Sequence, residues 1–240
     1  MTVQLVALAI DALTPIELAR FWAHALRWDV RRREDAAVEL VPTDATSFTV
    51  LLQPVEHHKV GQNRIHFDLT TTSAEDQVQT VAELLALGGR HVDIGQGPGE
   101  THVVLADVEG NELCVIEPTN RFLADCPRLG AVNCDGTHAL GEFWSRALTW
   151  PLVWDQDEET AIQAPGGTGP KITWSGPPLM PKPPRERIHF HVAAAPGTTA
   201  QTAQELLVAL GATRVEGRDG CGGTIALLDV DGNEFCLIGD

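Results

Sequence analysis

The chain has 240 residues, 43% of them hydrophobic, with 17 Lys and Arg against 33 Asp and Glu and a net charge of −16. That length suits two ordinary domains, and the apolar fraction is that of a globular protein. The charge argues against a nucleic-acid partner, which needs clustered Lys and Arg, and no apolar run reaches the roughly 20 residues of a membrane span.

Leu5 to Ile10 predicts a first strand. The apolar start has no basic leader and no small-residue cleavage site, so it reads as a strand rather than a signal peptide. Thr14, Pro15 and Glu17 predict an N-cap, a first helical position and a capping box. Leu18, Phe21, Trp22 and Ala25 then recur at helical spacing. Strands follow near 30–33, 37–41 and 48–53. The order repeats: a strand from Ile65 to Thr70, a helix capped by Ser73 with a stripe of Val78, Val81, Leu84 and Leu85, and a stop at Gly88-Gly89. Three more strands lie near 90–93, 102–107 and 112–117, with a hairpin turn at Asp107 to Asn111.

Residues 117–127 read as a linker, after which the same elements return. Phe21-Trp22 recurs as Phe143-Trp144, NRIHFDL (63–69) as ERIHFHV (186–192), and DVEGNELCVI (107–116) as DVDGNEFCLI (229–238). The offsets are 122 or 123 residues, from Trp22 to Trp144 and from His66 to His189. Three matched blocks in one order mark a tandem repeat. In the second half, Thr198 and Gln201 suggest a capping box for a helix ending at Gly211. The Pro-rich stretch 176–187 matches 54–64 and predicts a rigid connector.

The repeated aromatics Trp22, Trp28, Trp144 and Trp150 read as core. His57, His58 and Lys59 read as solvated connector, and His24 as exposed. The five cysteines (Cys114, Cys126, Cys134, Cys221, Cys236) are odd in number and form no CxxC pair. They suggest reduced thiols in a cytoplasm and no zinc ribbon. Cys221 sits in a glycine-rich loop. Gly95, Gly97 and Gly99 open no helix, so a phosphate loop is not expected there.

Four strand-helix-three-strand modules, with LARFWAHAL (18–26), NRIHFDL and ADVEGNELCVI (106–116) and their second-half counterparts, resemble the vicinal oxygen chelate superfamily. That group includes glyoxalase I, extradiol dioxygenases, methylmalonyl-CoA epimerase and bleomycin and fosfomycin resistance proteins. The specific match is to its glyoxalase-like domains. The resemblance implies an α+β fold of four βαβββ modules in two glyoxalase-like domains, residues 1–119 and 125–240. Two modules would form each cup-shaped sheet, with a small molecule on its concave side. One chain can supply both cups, so a monomer is expected, with a homodimer open.

Period-2 alternation puts Ile65, Phe67 and Leu69 against the helices and His66 and Asp68 in the cup. Ile188, Phe190 and Val192 likewise leave His189 and His191 facing the cup. Glu112, Cys114 and Ile116 would line one cup, and Glu234, Cys236 and Ile238 the other. Trp174 is a candidate stacking wall.

The resemblance further implies four His, Glu or Gln metal ligands per cup, and the carry-over is partial. His66 and His189 match. Cys114 and Cys236 stand where Glu is usual, with Glu112 and Glu234 nearby. The first-module positions are apolar: Leu5 or Ala7, and Leu129 or Gly130. Gln53 is expected to point away from the cup. The first reading is a metal-independent cup for an apolar or aromatic ligand, with the cysteines as small apolar fillers. The second is a lyase, isomerase or dioxygenase holding Zn, Ni, Fe or Mn through His66, Glu112 and Cys114, or His189, Glu234 and Cys236. A His-Cys or His-Glu acid/base site without metal is also open, and a third reading makes one half a degenerate structural copy that completes the fold.

Overall fold

Each module begins with a long strand and returns to it. Module one holds β1 (Val3–Ala12), α1 (Pro15–Leu26), β2 (Asp29–Arg32), β3 (Val38–Val41) and β4 (Thr49–Pro54). Module two holds β5 (Ile65–Leu69), α2 (Ala74–Ala86), β6 (Arg90–His91), β7 (Val103–Ala106) and β8 (Glu112–Val115). Module three holds β9 (Leu129–Cys134), α3 (His138–Leu148), β10 (Leu152–Gln156), β11 (Glu159–Ala164) and β12 (Thr168–Trp174). Module four holds β13 (Ile188–Ala194), α4 (Ala200–Leu210), β14 (Thr213–Asp219), β15 (Ile225–Leu228) and β16 (Glu234–Ile238). The structure is a computed structural model and describes residues 3–97, 99–219 and 224–239, with 216–219 as backbone only. Cys221 lies outside the described residues.

The strands form two eight-stranded sheets, β14-β15-β16-β13-β1-β4-β3-β2 and β10-β11-β12-β9-β5-β8-β7-β6. Modules one and four therefore make one sheet, and modules two and three the other. Each cup is shared between the two sequence repeats, which corrects the expectation that 1–119 and 125–240 each build their own. The connectors explain the exchange. Segment 55–64 carries the chain across to the other sheet, and the Pro-rich segment 175–187 returns it. The first strands of the paired modules meet antiparallel, Leu8 opposite Phe190 in one sheet and Phe67 opposite Val132 in the other.

Ion pairs lock the crossing. Arg64 Nε donates to Asp135 at 2.7 Å and its Nη1 to Asn233 at 2.7 Å. Arg187 pairs with Glu109, and both side chains are buried. Glu109, in the β7–β8 turn, also accepts from the Leu13 and Thr14 backbone N–H groups at 2.9 and 2.8 Å. The Thr14 side chain makes no cap, so the carboxylate of the next module replaces the predicted capping box. Asp231 repeats the device, accepting from Thr137 N at 2.7 Å and Oγ1 at 2.9 Å. Ser73 caps α2 as predicted, whereas the cap of α4 is Thr199, one residue beyond the expected box.

The core lies on the helix side of the sheets. Trp22 packs edge-on against Phe67 at 5.0 Å, and Trp144 against Phe190 and Phe235 at 4.8 and 5.1 Å. Trp28 and Trp150 are buried too, as their repetition suggested. On α2 the stripe is narrower than predicted: Val78 is 71% exposed, and Leu84 and Thr80 carry the burial.

Candidate functional site

Strand alternation places the polar residues of NRIHFDL and its repeat away from the core. Phe67, Leu69, Phe190 and Val192 belong to the core, leaving His66, Asp68, His189 and His191 on the opposite face. Leu113, Val115, Phe235 and Leu237 do the same for Glu112, Cys114, Glu234 and Cys236. Asp68 lies beside Cys114, and His191 beside Cys236. In each sheet three potential ligand atoms converge within 4.8 Å of one another: those of His66, Asp68 and Cys114, and those of His189, His191 and Cys236.

The two clusters differ in charge. His66 Nε2 lies 3.4 Å from Asp68 Oδ1. Burial alone would push the imidazole pKa down, but the Asp68 carboxylate and the Cys114 sulfur outweigh it and raise His66 to about 10. Burial pushes the Cys114 thiol up, against the pull of His66. At neutral pH the floor of this cup is thus an imidazolium–carboxylate pair beside a thiol. In the other cup His189 Nε2 and His191 Nε2 lie 3.1 Å apart. Burial presses His189 down, but Cys236, Asp11 and Glu234 raise it overall.

The predicted glutamates stand outside these clusters. Glu112 is held by Lys59 Nζ at 2.6 Å and by the Asn63 backbone N–H at 3.2 Å. Its carboxylate turns toward the connector, and Asp68 takes the place expected of it. Glu234 is likewise replaced by His191. The reason is the register: Glu112 and Glu234 sit one row nearer the turn than the cysteines.

Across the central strand pair the positions are small or neutral. Ala7 faces His191, Ala9 faces His189, Ala131 faces Asp68 and Asn133 faces His66. Irregular pairing between Leu5 and Ala7 sends Leu5 into the core, and a similar shift beside Gly130 sends Leu129 there. Val50 and Leu52 are also core residues, so alternation puts Gln53 on the cup side, contrary to expectation. Its Oε1 is buried and has no partner among the described residues.

A cavity of about 370 Å³ opens over the module-two and module-three sheet. Phe122 and Trp154 form its aromatic wall, edge to face at 5.8 Å, with Ile116 and Leu123 beside them. Asp68, Asn133 and Thr173 supply polar groups. Lys171 Nζ lies 4.7 Å from the centre of the Phe122 ring and 3.5 Å from Cys126 Sγ. Trp174 borders the same cavity but is 1% exposed and packs in the core. Trp154, 38% exposed, stands beside Phe122 in the wall, and its signal was its absence from the first half. Phe122 lay in a stretch that reads as a linker, and Asn133 in one that reads as plain strand.

The architecture is α+β, a sheet cup with His, Asp and Cys side chains on its floor and aromatic side chains at one wall. The family model of the glyoxalase-like domain matches residues 7–116 and 131–238. The chain therefore belongs to the glyoxalase-like domain family, a tandem member of the vicinal oxygen chelate type. Among solved structures, it is similar to glyoxalase I from Zea mays at 13% identity and TM-score 0.69, covering 99% of this chain and 92% of that one. A putative dioxygenase from Bacillus subtilis subsp. subtilis str. 168 gives 13% identity and TM-score 0.63, covering 99% and 85%. No curated protein sequence matches. At these identities the solved structures establish the fold alone. No helix among the described residues is long and apolar enough to cross a membrane.

Proposed function

We propose that the protein binds a small apolar or aromatic molecule in the cup shared by modules two and three. The observation that carries this reading is the cavity whose wall is the Phe122–Trp154 pair, flanked by Ile116 and Leu123, with polar side chains such as Asp68 and Asn133 across from it. The ligand's apolar body would lie against Trp154, and a polar substituent would meet Asp68 and, beneath it, His66. One chain supplies every strand of both cups, so a monomer suffices, and free thiols suit a reducing cytoplasm. Titration with a panel of phenols and naphthols, read by tryptophan fluorescence and calorimetry, tests the reading. Saturable binding should weaken about tenfold in Trp154→Ala, since aromatic contacts carry much of such affinity. Binding that ignores Trp154 and Phe122 alike would place the ligand elsewhere.

A second reading is a metal-dependent lyase, isomerase or dioxygenase. It rests on the convergence of three donor atoms in each cup, because three protein ligands and an open position suit catalytic metal chemistry. His66, Asp68 and Cys114 would hold the ion in one cup, and His189, His191 and Cys236 in the other. The mixed N/O/S donors suit zinc best, with nickel, iron or manganese as alternatives. When bound, such an ion would polarise neighbouring oxygens of a substrate. All three donors in a cup come from one module, since the facing positions are Ala7, Ala9, Ala131 and Asn133. Elemental analysis of untagged protein decides between the readings: near-stoichiometric metal, lost in His66→Ala or His189→Ala, favours the second.

A further inference from the structure

We propose that the two inter-module connectors form a second binding pocket, selective for a small phosphorylated molecule and separate from the aromatic cup. The crossing segments face each other around a cavity of about 410 Å³. His57, Lys59, Arg185 and Arg187 contribute to its wall, and none of its lining residues is acidic. In a chain of net charge −16 with only 17 Lys and Arg, three of those cations meet at this one cavity.

Their partners show which charges remain available. Lys59 is held by Glu112 and by the Gly61 carbonyl at 2.7 Å. Arg187 holds Glu109 and donates to the His57 carbonyl at 2.8 Å, yet its Nε is buried with no partner among the described residues. Arg187 is 3% exposed, so that N–H cannot turn to bulk water. Among the described residues Arg185 has no carboxylate partner, and its polar contact there is the His57 ring, with Nη1 2.9 Å from Nδ1. Asp11, 3.4 Å from His57 Nε2, is the carboxylate against that ring.

A guanidinium presents five donors and accepts nothing. One bond to an imidazole nitrogen leaves most of the Arg185 fork unused. A phosphate group can take two donors from the exposed Arg185 fork at once, with the Lys59 ammonium on the facing connector adding positive charge at the same cavity. Val60, 63% exposed, and Pro184 offer apolar surface for an organic body attached to the phosphate. The connectors come from opposite repeats, so neither half forms this pocket alone.

The test is calorimetric titration of the full chain with phenyl phosphate, ionic strength held constant with chloride and a chelator present. Saturable binding should weaken about tenfold in Arg185→Ala, whose side chain is exposed. It should be unchanged in Arg146→Ala, an exposed arginine 3.9 Å from Glu142, and in Trp154→Ala in the cup. Absence of saturable binding overturns the proposal. So does equal weakening by Arg146→Ala, which would mean diffuse attraction, or loss in Trp154→Ala, which would mean capture by the cup. Failure of the cup reading leaves this result untouched, because its readout depends on Arg185.

Discussion

Asp68→Asn should lower the pKa of His66 by about two to four units. The substitution keeps the side chain's shape and removes its charge. At the observed 3.4 Å separation and an effective dielectric near 20, Coulomb's law gives about 5 kcal/mol, or roughly 3.5 pKa units. Burial opposes part of that attraction, and Cys114 adds to it, so the net elevation to about 10 is of the expected size. With the charge removed, burial pushes the imidazole toward or below its ordinary value of 6.5. The assay is an NMR titration of histidine Cε1–H with chelator present, assigned by difference against His66→Gln. Linkage gives a second readout. A histidine raised in the folded state contributes stability that is full below pH 6.5 and is lost as pH rises through about 10. Chemical denaturation of the parent should therefore show this loss between pH 7 and 10, and Asp68→Asn should not. A parental His66 titrating near 6.5, or one indifferent to Asp68→Asn, would refute the reasoning.

Two further substitutions test the packing that holds the cups. A Cβ on Gly141 would lie 2.0 Å from Thr160 Oγ1 and 2.7 Å from its Cβ, so Gly141→Ala should cost about 1–3 kcal/mol in denaturant unfolding. Thr160→Gly should cost less in that background than in the parent, and strictly additive losses would count against the contact. Trp22→Phe removes a 2.8 Å bond to the fully buried Asp107 and should cost about 1–3 kcal/mol. Trp144→Phe should cost less, because its Nε1 donates to no described group; equal losses would refute the comparison.

The modules were legible because each apolar residue obeys a period: 3.6 along α1 and α3, two along β5, β8, β13 and β16. His66, Cys114, His189 and Cys236 were legible for the same reason. Alternation fixes a face but not a distance, so Asp68 and His191 could not be ranked above Glu112 and Glu234. That choice depends on the row each residue occupies, Glu112 and Glu234 sitting one row nearer the turn than the cysteines. Trp174 is both core and cavity lining, because its strand sits between β9 and β11. Leu5 and Gln53 misled because a pairing irregularity in β1, and the facing of β4, leave no mark in local composition. Sheet partnership was hidden too: a repeat reveals that two units exist, not which strands they exchange.

That exchange has a consequence for divergence. A homodimer of a single two-module chain would have to build two identical cups, since every change would appear twice. Here module one closes on module four and module two on module three, and each has its own codons. The carboxylate at Asp68 and the imidazole at His191 occupy matching places, as do Asn133 and Ala9. Joining the halves in one polypeptide has thus removed the symmetry that would have tied the pockets together. One cup can change its lining while the other keeps its own.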